Sequence, residues 1–295
     1  MALKLSAELA ERKHQEDLQR IRGFRLLDDD FLTRCFEGNT ACAELVLRIV
    51  LEMPDLKVID VHTQVFVENL LNRSVRLDIL ATDSKGNRMN IEIQRADKGA
   101  GRKRARYNSA MMDANLLEKG EDFDALPNNY VIFITEHDVM GRGLPLYQVE
   151  RTVLQTGERF NDGAHILYVN GEYRGDNPLG KLMHDFSCTN ANDMNYGVLA
   201  DRVRFFKESK EGVAVMCKVI EDMRLQEREE GREEGRAEGR AEGRVEGRTE
   251  GHTEVIRVLQ AIAAGQTDEE IQMDNAYADF DLIKKIRTAL SGATD

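Results

Sequence analysis

A length of 295 residues allows one large domain or two modest ones with a true core, and an apolar content of 41% is ordinary for a globular chain. The formal charge of −12 excludes general adhesion to nucleic acid, and no apolar run approaches the length of a membrane span. Four scattered cysteines without a C-x-x-C pair exclude a disulfide framework, six isolated histidines exclude a zinc motif, and a polar N-terminus is not a signal peptide; a cytoplasmic protein with reduced thiols is expected.

In chain order, 1–25 reads as a charged helical arm of low apolar content. A second helix starts near Leu26, with Asp28, Asp29 and Asp30 in a first turn where carboxylates suit the helix dipole; that role accounts for the cluster without a metal. Asn39 or Thr40 caps a third helix, nearly all core from Ala43 to Leu51 and stopped by Pro54. Its polar exception is Glu44, which either reaches solvent or points at a site, because an unpaired buried carboxylate is costly. The valines between Lys57 and Glu68 favour a strand.

Val75 to Gln94 reads as a β-hairpin, two alternating runs around Asp83-Ser84-Lys85-Gly86-Asn87. A three-residue Ser84-Lys85-Gly86 loop, with Gly86 in the left-handed region, sets Asp78 opposite Glu92. Facing carboxylates repel by about 0.2–1 kcal/mol, more when buried, unless a divalent cation lies between them. Gln94 shares their face, while Val75, Leu77, Ile79, Ala81, Ile91 and Ile93 face the other way, towards a helix. The plain alternative is an acidic pair on the solvent side of an amphipathic hairpin.

Immediately afterwards Arg95, Lys98, Arg102, Lys103, Arg104 and Arg106 stand against Asp97 alone. A cationic strip beside a metal site is what a phosphodiester backbone requires; by itself it is equally a solvated helix start. A helix from about Arg102 to Lys119 follows, with Tyr107, Met111 and Ala114 on one face and Ser109 on another. Tyr130 to Thr135 is a strand buried on both sides, and Ala164 to Asn170 is another. Helical periodicity then fills 181–228 as a cap. From Glu229 to Gly251 an R-x-E-G repeat makes separate Arg, Glu and Gly stripes; it is either a self-association helix or a spacer. Short helices follow over 255–295, with a capping box at Thr267 and Glu270.

Asp78, the Glu92-Ile93-Gln94 triplet after a thirteen-residue gap, the helix with Arg106-Tyr107-x-Ser109 and the Glu-Gly-Arg tail resemble the PD-(D/E)XK nuclease superfamily, and more closely its transposase-associated, recombination-promoting branch. The resemblance runs from about Phe31 to Met223 and includes Phe31-Leu32-Thr33-Arg34-Cys35-Phe36 and Phe160-Asn161-Asp162-Gly163. It implies an α/β, restriction-endonuclease-like fold with a mixed sheet of four strands or slightly more, flanked by helices, over 26–180, and a helical C-terminal extension. It also implies Mg²⁺- or Mn²⁺-dependent cleavage of DNA. Asp78 and Glu92 would ligate the metal with the Ile93 carbonyl, and Glu44 matches the acid of the first core helix. Gln94 stands where the motif has lysine, and Leu77 where it has proline. Arg95, Lys98, Arg102, Lys103 and Arg106 are the expected DNA contacts, and the repeat over 229–254 the expected stalk or linker of a homo-oligomer. A nuclease scaffold retired to DNA binding or assembly is the alternative.

Overall fold

In the computed structural model, residues 2–69, 73–95, 99–114, 116–117, 119–274 and 280–291 are described. The chain divides into two compact units, Met1–Glu221 and Asp222–Asp295. The first opens with α1 (Ala2–Gly23), α2 (Asp29–Phe36) and α3 (Thr40–Val50), followed by strands β1 (Val58–Val67), β2 (Val75–Asp83) and β3 (Arg88–Gln94). Then come α4 (Arg102–Ala114), β4 (Asn129–Thr135), β5 (Leu146–Val149), β6 (Ala164–Asn170), α5 (Pro178–Ser187) and α6 (Gly197–Glu208). The order in the sheet is β1-β2-β3-β4-β6-β5. The first three strands are antiparallel neighbours, β3, β4 and β6 run parallel, and β5 returns antiparallel on β6. The sheet is therefore mixed, with six strands. Sequence periodicity misses β5, a four-residue edge strand too short to show alternation.

The hairpin register follows from its turn. The Gly86 N–H donates to the Asp83 carbonyl at 3.0 Å with Gly86 at φ 84°, and the Asp83 N–H donates to the Asn87 carbonyl at 3.1 Å. The Asp83 carboxylate accepts from the N–H groups of Lys85 and Asn87 and from the Asn87 amide, fixing the loop. The ladder Thr82–Arg88, Ala81–Met89, Leu80–Asn90, Ile79–Ile91 then points Asp78 at Glu92. The expected separation of faces is less clean: Leu77 and Leu80 both pack in the cluster of Ala105, Met112, Val131, Phe133 and Tyr168. Strict alternation is lost around Asp78, where the regular ladder with β3 ends and Gln64, on β1, has φ 52°.

Strand β4 is buried along its whole length, as its continuous apolar run implies. Phe133 stacks on Tyr168 with centroids 5.4 Å apart on the face covered by α4, and Ile132 and Ile134 alternate to the opposite face. Helix α4 is shorter than expected, ending at Ala114, and its buried side is Ala105, Asn108, Ser109, Met111 and Met112. Small residues at 105 and 109 bring it close to the sheet, and the Ser109 hydroxyl bonds Asn129 at 2.8 Å. The end of α1 is no free arm: Ile21 is fully buried and Phe24 stacks on Phe31. Cys35 and Cys42 are free thiols in the core, and burial pushes both thiol pKa values up.

Helix α7 (Lys210–Ala263) spans the unit boundary and carries the whole repeat. In the second unit, Val258, Ile271 and Ile283 form a small core joining α7 to α8 (Asp268–Asp274) and α9 (Phe280–Ser291). The capping box forms: the Thr267 N–H donates to Glu270 Oε2 at 2.8 Å, and the Glu270 N–H to Thr267 Oγ1 at 3.3 Å. No helix among the described residues is long and apolar enough to cross a membrane.

Candidate metal centre and basic cleft

Just past the last regular pair of the hairpin ladder, the Asp78 and Glu92 side chains each reach a backbone N–H of the opposite strand. Asp78 Oδ2 accepts the Ile93 N–H at 3.1 Å, and Glu92 Oε1 faces the Asp78 N–H at 3.4 Å and accepts from Asn90 Nδ2 at 3.0 Å. Asp78 is 7% exposed and Glu92 fully buried. Burial, then the charge of Glu92, then that of Asp29, pushes the Asp78 carboxyl up to about 8. Burial also raises Glu92, opposed chiefly by the guanidinium of Arg104, whose Nη2 lies 2.6 Å from Glu92 Oε2. Among the described residues, Arg104 is the cation paired with either carboxylate.

Asp78, Ile93 and Gln94 line a cleft of about 1110 Å³. Its basic walls are Arg73 just before β2, Arg76 near the start of β2, and Lys103, Arg104 and Arg106 from the start of α4. Tyr107 and Asn108 complete the α4 side, and Asp29 reaches in from the first turn of α2. Asp29 is held by the Gln64 amide at 3.2 Å, and its carboxyl is raised, mainly by burial and then by Asp30. Gln64 Oε1 is buried with no hydrogen-bond partner among the described residues.

Glu44 is not part of this constellation. Its carboxylate pairs with Arg48 at 2.8 Å and Lys57 at 3.2 Å and accepts the Val58 N–H at 3.0 Å, which together hold its pKa low despite partial burial. It pins α3 to the start of β1, where Val58 pairs with Asp83, five residues along β2 from Asp78. The acid that the first helices bring to the cleft is Asp29, for which the helix dipole alone is therefore not a sufficient account.

The basic strip also divides. Lys103 and Arg106, two of the expected DNA contacts, line the cleft. Arg95 does not: it is spent on Asp28 at 3.1 Å and Glu136 at 3.4 Å. Arg102 points to the sulfur of Met140 and is also outside the cleft lining. Lys98 lies outside the described residues. Sequence reasoning misses Arg73 and Arg76, although Arg76 sits two positions from Asp78 on the same strand and a period-2 reading places it beside that carboxylate.

A separate group, His184, Asp185 and Cys188, gathers at the end of α5 with ligand atoms within 4.8 Å of one another. Its carboxylate is already engaged: Asp185 accepts from the N–H groups of Asn195 and Tyr196 and from the Asn195 amide, each at 2.8 Å, so it fastens the connection from α5 to α6.

Residues 48–173 match the family model described as PD-(D/E)XK nuclease family transposase. The match contains Asp78, Glu92, Gln94 and α4 and leaves Asp29, Glu44 and the repeat outside it. No curated protein and no solved structure gives a significant match.

Proposed function

From the match of residues 48–173 to the PD-(D/E)XK nuclease transposase family model, we propose that the protein is a metal-dependent DNA endonuclease acting in recombination or on mobile elements. The observation that carries this reading is the meeting of two buried carboxylates, Asp78 and Glu92, where Asp78 opens into a cleft with cationic walls. Two buried carboxylates served by a single guanidinium are costly to keep in a merely structural role.

The donor set suits a hard divalent cation. Asp78 and Glu92 offer carboxylate oxygens, and Asp29 stands in the cleft as a third acid. Asp78, Glu92 and the Ile93 carbonyl would hold Mg²⁺ or Mn²⁺, which supplies Lewis-acid charge against the scissile phosphate and acidifies the attacking water. Gln94, on the same face as Glu92, orients that water through its amide. Lys103 and Arg106 on one wall and Arg73 and Arg76 on the other grip neighbouring phosphates and hold the strand over the carboxylates. The test is conversion of supercoiled plasmid with Mg²⁺ by the parent protein and by Asp78→Ala; equal nicking by the two would overturn the reading.

Self-association belongs to the repeat of α7. At about 100° per residue its stripes follow one another around the helix as Arg, variable, Glu and Gly, so the Gly stripe has Glu on one flank and Arg on the other. A Cβ at any glycine from Gly231 to Gly251 would meet nothing within 4 Å, which leaves that stripe open to close approach. A second copy laid parallel, glycine against glycine, sets Arg against Glu along both flanks, whereas an antiparallel copy sets like charges together. Because four residues exceed one 3.6-residue turn, the stripes drift and favour crossing along the i±4 ridges. A chain ending at Arg228 is therefore expected to sediment as a smaller species than the full chain. Equal oligomeric states would remove the repeat from the account.

A further inference from the structure

We infer that Arg104 is the cationic catalytic residue of the site, the group that meets charge on the scissile phosphate where Gln94 offers only a neutral amide; the inference rests on the nuclease reading. Three observations converge on it. The guanidinium lies 2.6 Å from a carboxylate oxygen of the fully buried Glu92, so Arg104 is the side chain that covers this metal-facing acid. The same side chain is 42% exposed and lines the cleft, with its other contact a 3.4 Å bond from Nη1 to the Gly99 carbonyl, so it is free to turn along the cleft without leaving it. Gln94 is meanwhile packed against the Gly99 backbone, where an added Cβ would overlap its amide.

Without metal, Arg104 neutralises Glu92. A divalent cation held by Glu92 would repel the guanidinium from that oxygen, and the phosphate of a strand lying in the cleft would offer it an anion in exchange. The planar N–H fork suits two phosphate oxygens, which an ammonium or an amide does not match. In the hydrolytic step the water oxygen forms a bond to phosphorus as the bond to the leaving oxygen breaks. The proton lost by water passes to solvent and the leaving oxygen takes one up, while Arg104 remains protonated and donates to a non-bridging oxygen throughout.

The experiment pairs Mn²⁺ calorimetry with plasmid cleavage at saturating Mn²⁺ on the full chain, comparing the parent with Arg104→Ala, Arg104→Gln, Arg104→Lys and the double variant Arg104→Ala with Gln94→Lys. Arg104→Ala and Arg104→Gln are expected to bind Mn²⁺ at least as tightly as the parent, because a competing cation has gone, yet to cleave about 100-fold more slowly. Arg104→Lys should recover part of the rate, and Gln94→Lys should restore cleavage in the Arg104→Ala background. Parental cleavage by both neutral variants would show that Arg104 only covers Glu92. Loss of Mn²⁺ binding together with cleavage would show that it only supports the carboxylate. Either result overturns the proposal while leaving the nuclease reading standing; a parent protein that binds Mn²⁺ no better than Asp78→Asn and does not cleave overturns both.

Discussion

Asp78→Ala is expected to lose Mg²⁺-dependent DNA cleavage by about 10³-fold or more while keeping its fold. The size follows from position: Asp78 is a carboxylate both close to Glu92 and open to the cleft, so its loss removes a ligand and the charge that draws a cation in. Its removal is tolerated because the side chain is a cost to the metal-free fold. The folded-state pKa is raised from the ordinary carboxylate range to about 8, so ionisation disfavours the folded chain. The stability associated with the protonated group is full at acid pH and is lost as pH climbs to about 8. Asp78→Asn should therefore be more stable than the metal-free parent near pH 8, by on the order of 1–3 kcal/mol. That difference should shrink towards about pH 5, as denaturant titrations at the two pH values would show. Cleavage lost together with the cooperative unfolding transition would assign Asp78 to structure instead.

The second large effect is on substrate. Replacing Arg73, Arg76, Lys103 and Arg106 together by alanine is expected to weaken binding of duplex DNA about 10²–10³-fold at moderate salt. It should flatten the dependence of log affinity on log salt concentration by about 3–4, a step of about 0.9 for each phosphate the protein no longer neutralises. All four line the cleft, and none stands in an ion pair among the described residues, so their charge is available. Replacing Arg95 and Arg102 should move the slope little, since the first is neutralised by Asp28 and Glu136 and both lie outside the cleft lining. The reverse order of effects would relocate the substrate track.

These contrasts show which parts of the site are legible in the chain. Residues joined by a short local rule are readable: the Gly86 turn fixes the hairpin register, which delivers Asp78 to Glu92 without tertiary information. The uninterrupted apolar run of β4 likewise announces a central strand. Long-range pairing is not readable. Glu44 and Asp29 are both acids near a helix start, and what separates them is which partners the fold supplies: Arg48, Lys57 and a backbone N–H for one, Gln64 and the open cleft for the other. The same holds for the basic strip, where helix phase and the distant acids Asp28 and Glu136 divide similar cations between the cleft and a structural ion network. In the sequence Arg104 is only one charge in a run. Its pairing with Glu92 depends on how closely α4 approaches the sheet, which the small residues Ala105 and Ser109 permit.

The most direct test of the central claim is a calorimetric titration of the full chain and its Asp78→Asn variant with Mn²⁺, in buffers of differing ionisation enthalpy, at several pH values from about 6 to about 8.5. A cation held between Asp78 and Glu92 must displace the proton that burial and the charge of Glu92 keep on Asp78. The parent should therefore release protons on binding, its apparent affinity should rise with pH until about 8, and Asp78→Asn should lose the site. Equal binding by the two proteins, or binding by the parent with no proton release and no dependence on pH, would contradict the account.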